Sequence, residues 1–350
     1  MTAQILHHIA QRDDIHVVAY AATWRGRGAL PTAVPPGVTC ATRPMPARPL
    51  HFAWRHSSLP PIEWFTGRVD VVHGPNFVVP PARHAARVVT VHDLTAVHHP
   101  ELCTAHTRTY PDALRRALAT GAWVHTVSDF VRGEILDTFG ADPDRVVTVP
   151  NGVDAIPPAD PAAGARLAGG DRYLLALGTI EPRKNYPALL RAFDQVADQL
   201  PDVRLVVAGP DGWDTERFAA TLAACRHRSR ITRVGMVDDS ARAALLRGAL
   251  ALAYPSVYEG FGLPPLEAMS VGVPVVATAS GAVREVVGDA ALLVPVDDED
   301  ALADALVRIT NDDALRAELV ARGTVRAGQY DWAKTAEGLV ALYERAHVGS

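Results

Sequence analysis

The sequence predicts an α/β protein made of two doubly wound domains, and three observations carry that prediction. Short Val/Ile/Leu runs recur along all 350 residues, most followed by a helical pattern. The runs are continuous, as expected of strands buried on both faces of a parallel sheet. A Pro-, Gly- and Ala-rich stretch without apolar period, residues 149–171, reads as a linker between two such series. At 37.4 kDa the chain is also long for a single core.

In the first half, strands are expected at residues 15–20 (IHVVAY), 69–74 (VDVVHG), 86–93 (ARVVTVHD), 122–128 (AWVHTVS) and 145–152 (RVVTVPNG). Residues 30–64 are Pro-rich with scattered aromatics and read as a long irregular segment of functional character. In the second half, strands are expected at residues 173–179, 203–209, 231–237, 251–256, 274–280 and 291–296. Residues 186–200 and 239–250 carry amphipathic helical patterns. The acidic run DDED, residues 297–300, opens a helix and is read as its cap instead of a metal site. A last helix, residues 331–346, is expected to pack back on the first domain. The expected domains are therefore residues 1–152 and 153–330, with 331–350 returning to the first.

Composition excludes several classes. Hydrophobic residues make up 48% and charged residues 21%, as in an ordinary globular protein. A net charge of -5 argues against a general nucleic-acid binder. The three cysteines, Cys40, Cys103 and Cys225, lack metal-ligand spacing, so a reduced, cytoplasmic protein without a metal site is expected. No apolar run reaches the roughly 20 residues that span a bilayer. The first residues, MTAQILHHIAQRDD, lack the layout of a signal peptide. Charge is uneven: residues 1–152 hold 14 Arg and no Lys against 12 acidic residues, a net of +2, and the remainder carries −7. Twelve of the 14 histidines also lie before residue 153. Such a half could sit by an anionic inner membrane surface, but ordinary surface variation is the favoured reading, since charge asymmetry alone is a weak cue.

Ligands of open α/β sheets bind beyond the carboxyl ends of the strands, so the strand exits are where chemistry is sought. After residues 251–256 comes VYEGFGLPPLEAM, in which Glu259 and Glu267 flank Gly260, Gly262, Pro264 and Pro265. The glycines let a backbone approach a ligand, and the prolines suit the first turn of a helix. Two carboxylates are natural acceptors for sugar hydroxyls. After residues 173–179 comes TIEPRKNYPALL. Arg183 and Lys184 there precede a helix, where the dipole prefers anions, and a bound phosphate would resolve the conflict. Lys184 is one of only two lysines. In the first half, His92 and Asp93 stand at the exit of residues 86–91, and His is the usual proton carrier near neutral pH.

Together these segments resemble the family 4 retaining glycosyltransferases, which have the GT-B architecture of two Rossmann-like domains facing a central cleft. EGFGLPPLEAMSVGVPVVAT resembles that family's block of two glutamates with seven residues between them. GTIEPRKN resembles its diphosphate block, RVVTVPNGVD its interdomain stretch, TVHDL its first-domain His site and HTVSDFVRGEI a following strand–helix step. The resemblance covers roughly residues 10–346. It implies that Glu267 holds the nucleotide ribose. Glu259, with Gly260, Phe261, Gly262 and Leu263, would hold the donor sugar, and Arg183 and Lys184 the diphosphate. It places Val237 near the base and His92 beside the sugar on the acceptor side, with His92, Lys184 and Glu259 as catalytic residues.

The implied reaction is metal-independent transfer of a hexose, with retention, from a nucleotide-diphosphate sugar to a glycan or lipid-linked acceptor. No cofactor is implied beyond the donor. HGPNFVVPP, with HDL and GTIEPRKN, is closest to bacterial mannosyltransferases of surface polysaccharide assembly, so GDP-mannose leads over UDP-sugars. The alternatives are a hydrolase using the two carboxylates, a sugar-nucleotide epimerase, and a non-catalytic nucleotide-sugar-binding partner of another transferase. Two departures stand out. Thr179 and Arg284 replace an Arg and a Pro common in the family. The first domain is also expected to lack its N-terminal strand and Gly-rich loop, from a misplaced start or a real loss, which would leave a gap between central strands.

Overall fold

In the computed structural model, residues 1–23, 26–41 and 43–349 are described. They fall into two compact units, Met1–Gly152 with Tyr330–Ser350, and Val153–Gln329.

The second unit is built on β7 (Tyr173–Leu177), β8 (Arg204–Ala208), β9 (Ile231–Gly235), β10 (Ala251–Tyr254), β11 (Val275–Thr278) and β12 (Leu292–Val294). They form one parallel sheet in the order β12-β11-β10-β7-β8-β9. Every residue of β7, β10 and β11 is buried, which is why these strands read as unbroken apolar runs. Helix Tyr186–Val196 buries Leu189, Leu190 and Phe193 against the sheet and helix Glu299–Asn311, each side chain stabilising the fold by roughly 1.5–3 kcal/mol. The DDED run does cap that last helix, since Asp298 Oδ1 accepts from Ala301 N at 2.9 Å.

The expected linker is corrected in part. Residues 161–168 form a helix, Pro161–Ala168, with Asp160 as N-cap and Gly169 at φ 79° closing it. It lies so close to helix Asp239–Gly248 that a Cβ on Gly164 would stand 2.2 Å from the Ala244 carbonyl oxygen. The Ala and Gly content that looked like a linker is what this approach requires.

The first unit holds two sheets. β1 (Val18–Ala19) and β2 (Thr39–Cys40) pair with each other, and β3 (Val71–Gly74), β4 (Ala86–Val91), β5 (Trp123–Thr126) and β6 (Val146–Thr148) form a separate parallel sheet in that order. Where a gap between central strands was expected, β1 and β3 share no ladder. Tyr20, one residue beyond β1, instead donates its hydroxyl to the His73 carbonyl of β3 at 3.3 Å. The segment read as irregular, residues 30–64, contains β2 and helix Ala47–His56, which buries Leu50 and Trp54. Helix Trp332–Val348 buries Trp332, Leu339 and Leu342 against Val88 of β4 and Trp123 of β5. Among the described residues no helix is long and apolar enough to cross a membrane.

Candidate active site

The strand exits of the second unit are shaped by glycine. Gly178 follows β7 and Gly209 follows β8, both at φ 145°. A Cβ on Gly209 would stand 2.0 Å from the Gly178 carbonyl oxygen, so only glycine permits these two exits to touch. Beyond Gly178 the chain makes the short turn Pro182–Lys184. Asn185, at φ 48°, then turns it into helix Tyr186–Val196.

That turn delivers Arg183 and Lys184 to Glu259, which sits five residues beyond β10. Lys184 Nζ donates to Glu259 Oε1 at 2.7 Å and to the Tyr254 hydroxyl at 3.1 Å, and it lies 4.8 Å from the centre of the Tyr254 ring. Arg183 donates to Glu259 Oε2, to the Tyr258 carbonyl at 3.1 Å and to Glu181 Oε1 at 2.8 Å. Both cations thus share one carboxylate. Glu259 is 6% exposed and Lys184 9%. Burial alone would raise the Glu259 carboxyl, but Arg183 and Lys184 outweigh it and hold the pKa at about 2. The carboxylate is therefore ionised throughout the physiological range. A buried charge pair of this kind is costly to break from one side, because it leaves the partner unpaired.

The backbone of Glu259 is fixed as well. Its carbonyl accepts from Ala282 N at 2.8 Å, and a Cβ on Gly281 would lie 2.2 Å from that oxygen. Gly260, Phe261 and Gly262 follow, all buried or nearly so, and Gly262 at φ 113° caps helix Leu263–Ser270. Glu267 lies on that helix, buried, and accepts from Arg242 of helix Asp239–Gly248. The two glutamates therefore do not share partners: Arg183 and Lys184 hold Glu259, and Arg242 holds Glu267. Val237 lies between β9 and the Asp238 cap of the helix that carries Arg242.

His92 belongs to the first unit and follows the last residue of β4. Its Nε2 donates to the Pro75 carbonyl at 2.9 Å, which leaves Nδ1 as the lone-pair nitrogen. Burial lowers its pKa, against the opposing effects of Pro75 and Asp93, so the ring is neutral at pH 7 and Nδ1 accepts hydrogen bonds. The Pro75 carbonyl is aimed by a tight loop. A Cβ on Gly74 would stand 2.0 Å from the Val78 carbonyl oxygen, and Phe77 adopts φ 55° with its N–H on Thr90 O. Among the described residues no cluster of three or more His, Cys, Asp or Glu side chains is placed to hold a metal ion.

Comparison with known proteins decides the family. The family described as Glycosyltransferase Family 4 matches residues 1–155, and Glycosyl transferases group 1 matches residues 163–326. The O-antigen chain mannosyltransferase B of Escherichia coli is 36% identical over 271 residues, covering 75% of this chain and 71% of that protein. The chain belongs to glycosyltransferase family 4. The phosphatidyl-myo-inositol mannosyltransferase of Mycolicibacterium smegmatis is 37% identical over 222 residues, 62% of this chain and 56% of that protein. Among solved structures, WaaG, a glycosyltransferase involved in lipopolysaccharide biosynthesis, matches with a TM-score of 0.72 at 20% identity, covering 95% of this chain and 92% of its own. A glycosyltransferase from Rickettsia africae matches with a TM-score of 0.71 at 14% identity, covering 99% and 95%. The fold is GT-B, with two Rossmann-like domains, and the protein is a glycosyltransferase.

Several residues around the site of this family 4 transferase escape a reading by segment. Tyr254 is the last residue of β10 and shares Lys184 with Glu259. Glu181 and Arg242 are the second partners that hold Arg183 and Glu267 in place. Gly281 lies against the Glu259 backbone from a loop 22 positions away. Glu181, Tyr254 and Arg242 all lie in segments legible as strand exit, strand and helix, but nothing in those segments marks them as partners.

Proposed function

We propose that the protein transfers mannose from GDP-mannose to a glycan or lipid-linked acceptor, with retention of configuration and without a divalent metal. The observation that carries this reading is the buried contact of Arg183 and Lys184 with Glu259. Cleavage of the sugar–phosphate bond adds negative charge to the departing diphosphate. Two cations already fixed by protein partners stabilise that charge without reorganising, the role a metal ion plays elsewhere. Glu259, ionised and oriented by the same cations, accepts hydrogen bonds from the sugar hydroxyls. Amides of Gly260, Phe261, Gly262 and Leu263 line the sugar's path, and Glu267, steadied by Arg242, accepts from the ribose hydroxyls. The base lies near Val237. Neutral His92 accepts a hydrogen bond from a sugar hydroxyl through Nδ1. Attack comes from the face the diphosphate leaves, and the leaving phosphate takes the acceptor's proton. No atom of the chain becomes covalently bonded to sugar.

Mannose is favoured because relatives that share over a third of their aligned residues are named mannosyltransferases. One of them is named for a phosphatidyl-inositol acceptor, which supports a lipid-linked acceptor met at the cytoplasmic membrane surface. The test is a screen of nucleotide sugars against the full chain in the presence of a chelator, with the product anomer read by NMR. GDP-mannose turnover giving the α-anomer is expected. Turnover of a UDP-sugar instead, an inverted product, or loss of activity with chelator would overturn the corresponding part.

A further inference from the structure

We propose a second, anion-binding site in the first unit, at the Arg87–Arg116 end of a cavity, which takes a phosphate group at the end of the β3–β6 sheet opposite His92. The cavity encloses ≈ 280 Å³, near the lower limit of about 300 Å³ for small-molecule sites. Its position follows from the lining. Arg87 is the second residue of β4, whereas His92 follows that strand's last residue, and five residues of extended chain separate them by roughly 16 Å. Arg116 and Thr120 lie at the end of helix Tyr110–Ala119, just before β5. Arg55, from the last turn of helix Ala47–His56, meets Thr109 at the opposite end of helix Tyr110–Ala119, roughly 16 Å along its axis from Thr120, so the phosphate is placed against Arg87 and Arg116.

Charge is what makes this cavity a site. Arg55, Arg87 and Arg116 all line it, with His51 and His56 beside them. The one carboxylate of the lining, Asp112, already holds Arg115 at 2.7 Å. Arg87 donates to Thr120, to its hydroxyl at 3.0 Å and to its carbonyl, and Arg55 donates to the Thr109 hydroxyl at 2.8 Å. These neutral partners orient the guanidinium groups and leave their charge uncompensated. Arg116 has no side-chain hydrogen bond or ion pair among the described residues. Burial and the nearness of Arg116 both push Arg87 below its ordinary range, the mark of like charges held together. A structure that holds Arg87 and Arg116 close together without an internal anion is stabilised when an external one enters. Guanidinium forks with flanking hydroxyls match phosphate oxygens. The phosphate belongs either to a soluble phosphate compound or to a lipid headgroup. Phe52, on helix Ala47–His56, and Leu59, just beyond it, are 68% and 54% exposed and would suit the second source.

The experiment uses the full chain. Calorimetric titration of inorganic phosphate is compared between the wild type, Arg116→Ala, Arg116→Lys and Arg87→Ala, so that phosphate bound elsewhere cancels. Flotation with phosphatidylglycerol or phosphatidylcholine vesicles forms the second arm. The expected result is that Arg116→Ala weakens one phosphate-binding component about tenfold, the loss of one charge-assisted contact, and that Arg116→Lys retains part of it. Arg116→Ala should unfold at the wild-type temperature, because its side chain makes no internal polar contact. Recruitment to phosphatidylglycerol that both alanine variants lose assigns the phosphate to a lipid. Phosphate binding without recruitment assigns it to a soluble compound. Equal phosphate and vesicle binding by the wild type and both alanine variants would overturn the site, as would no binding at all.

Discussion

Glu259 is the residue on which the site turns, because Lys184 and Arg183 both depend on it for charge balance. Its folded pKa of about 2 lies below the ordinary 4.5, so the unfolded chain binds its proton first as pH falls. The stabilisation is therefore complete above 4.5 and is lost as pH drops toward 2. Glu259→Gln should be much less stable than the wild type at neutral pH. The gap in denaturant midpoint should narrow as pH falls from about 6 to about 3. A gap independent of pH would mean that the carboxylate is not held as described. In the sequence, Glu259, Arg183 and Lys184 stood out through residue type and position at strand exits. Their mutual pairing did not, because 75 residues separate Lys184 from Glu259 and no local pattern encodes that contact. The same holds for Arg242, an ordinary helix arginine until the fold sets it against Glu267.

Elements are tied together in the first unit by a buried polar chain. His125 Nε2 must donate to the Val149 carbonyl at 2.8 Å, so its Nδ1 accepts from Thr90 Oγ1, also at 2.8 Å. Thr90 Oγ1 in turn accepts from His73 Nε2 at 2.7 Å, and His73 Nδ1 accepts from the Tyr343 hydroxyl at 2.7 Å. The direction of every bond is fixed from one end, and the chain joins β3, β4 and β5 to helix Trp332–Val348 and to the exit of β6. Both rings must be neutral. Burial, with each ring's histidine neighbours, lowers His73 to about 3, and burial, against the Val149 bond, lowers His125 to about 4. The unfolded chain protonates near the ordinary 6.5, so stability of the first unit falls as pH drops from there toward 4. The loss should be on the order of 2 kcal/mol per ring by pH 5, read as a falling thermal midpoint between about pH 7.5 and pH 5. A flat profile would contradict the neutral chain. The strands themselves were legible, since most of β3–β12 carry Val, Ile or Leu runs, with β9 the weakest. β2 and helix Ala47–His56 were not, because Pro35, Pro36, Pro44, Pro46 and Pro49 interrupt the periodic signal that would announce them. Helix Pro161–Ala168 was missed for a related reason, as its small residues serve a close helix contact and carry no apolar stripe.

At the scale of the whole molecule, the chain leaves the first unit at Gly152 and returns to it at Tyr330. Gly152 marks that return, since a Cβ there would stand 2.3 Å from Trp332 N, and Thr335 Oγ1 donates to the Pro150 carbonyl at 2.7 Å. Removing residues 330–350 would uncover Val88, Trp123 and Val149 in the first unit while leaving the core of the second intact. The first unit should then lose thermal stability with the second unchanged, a separation calorimetry can resolve. Simultaneous loss of both would show that the helix is not private to the first unit. The two-domain plan was readable because strand–helix alternation occurs twice. The separate β1–β2 pair was not, because strand order is set by pairing between distant segments. All functional readings meet in one requirement, that the protein's own cations neutralise the donor diphosphate. Calorimetric titration of GDP into wild-type and Lys184→Ala protein, with chelator present, tests it most directly. Binding by the wild type, weakened at least about tenfold by the substitution, is the expected result. Affinity unchanged by the substitution, or binding that appears only when a divalent metal is restored, would contradict it.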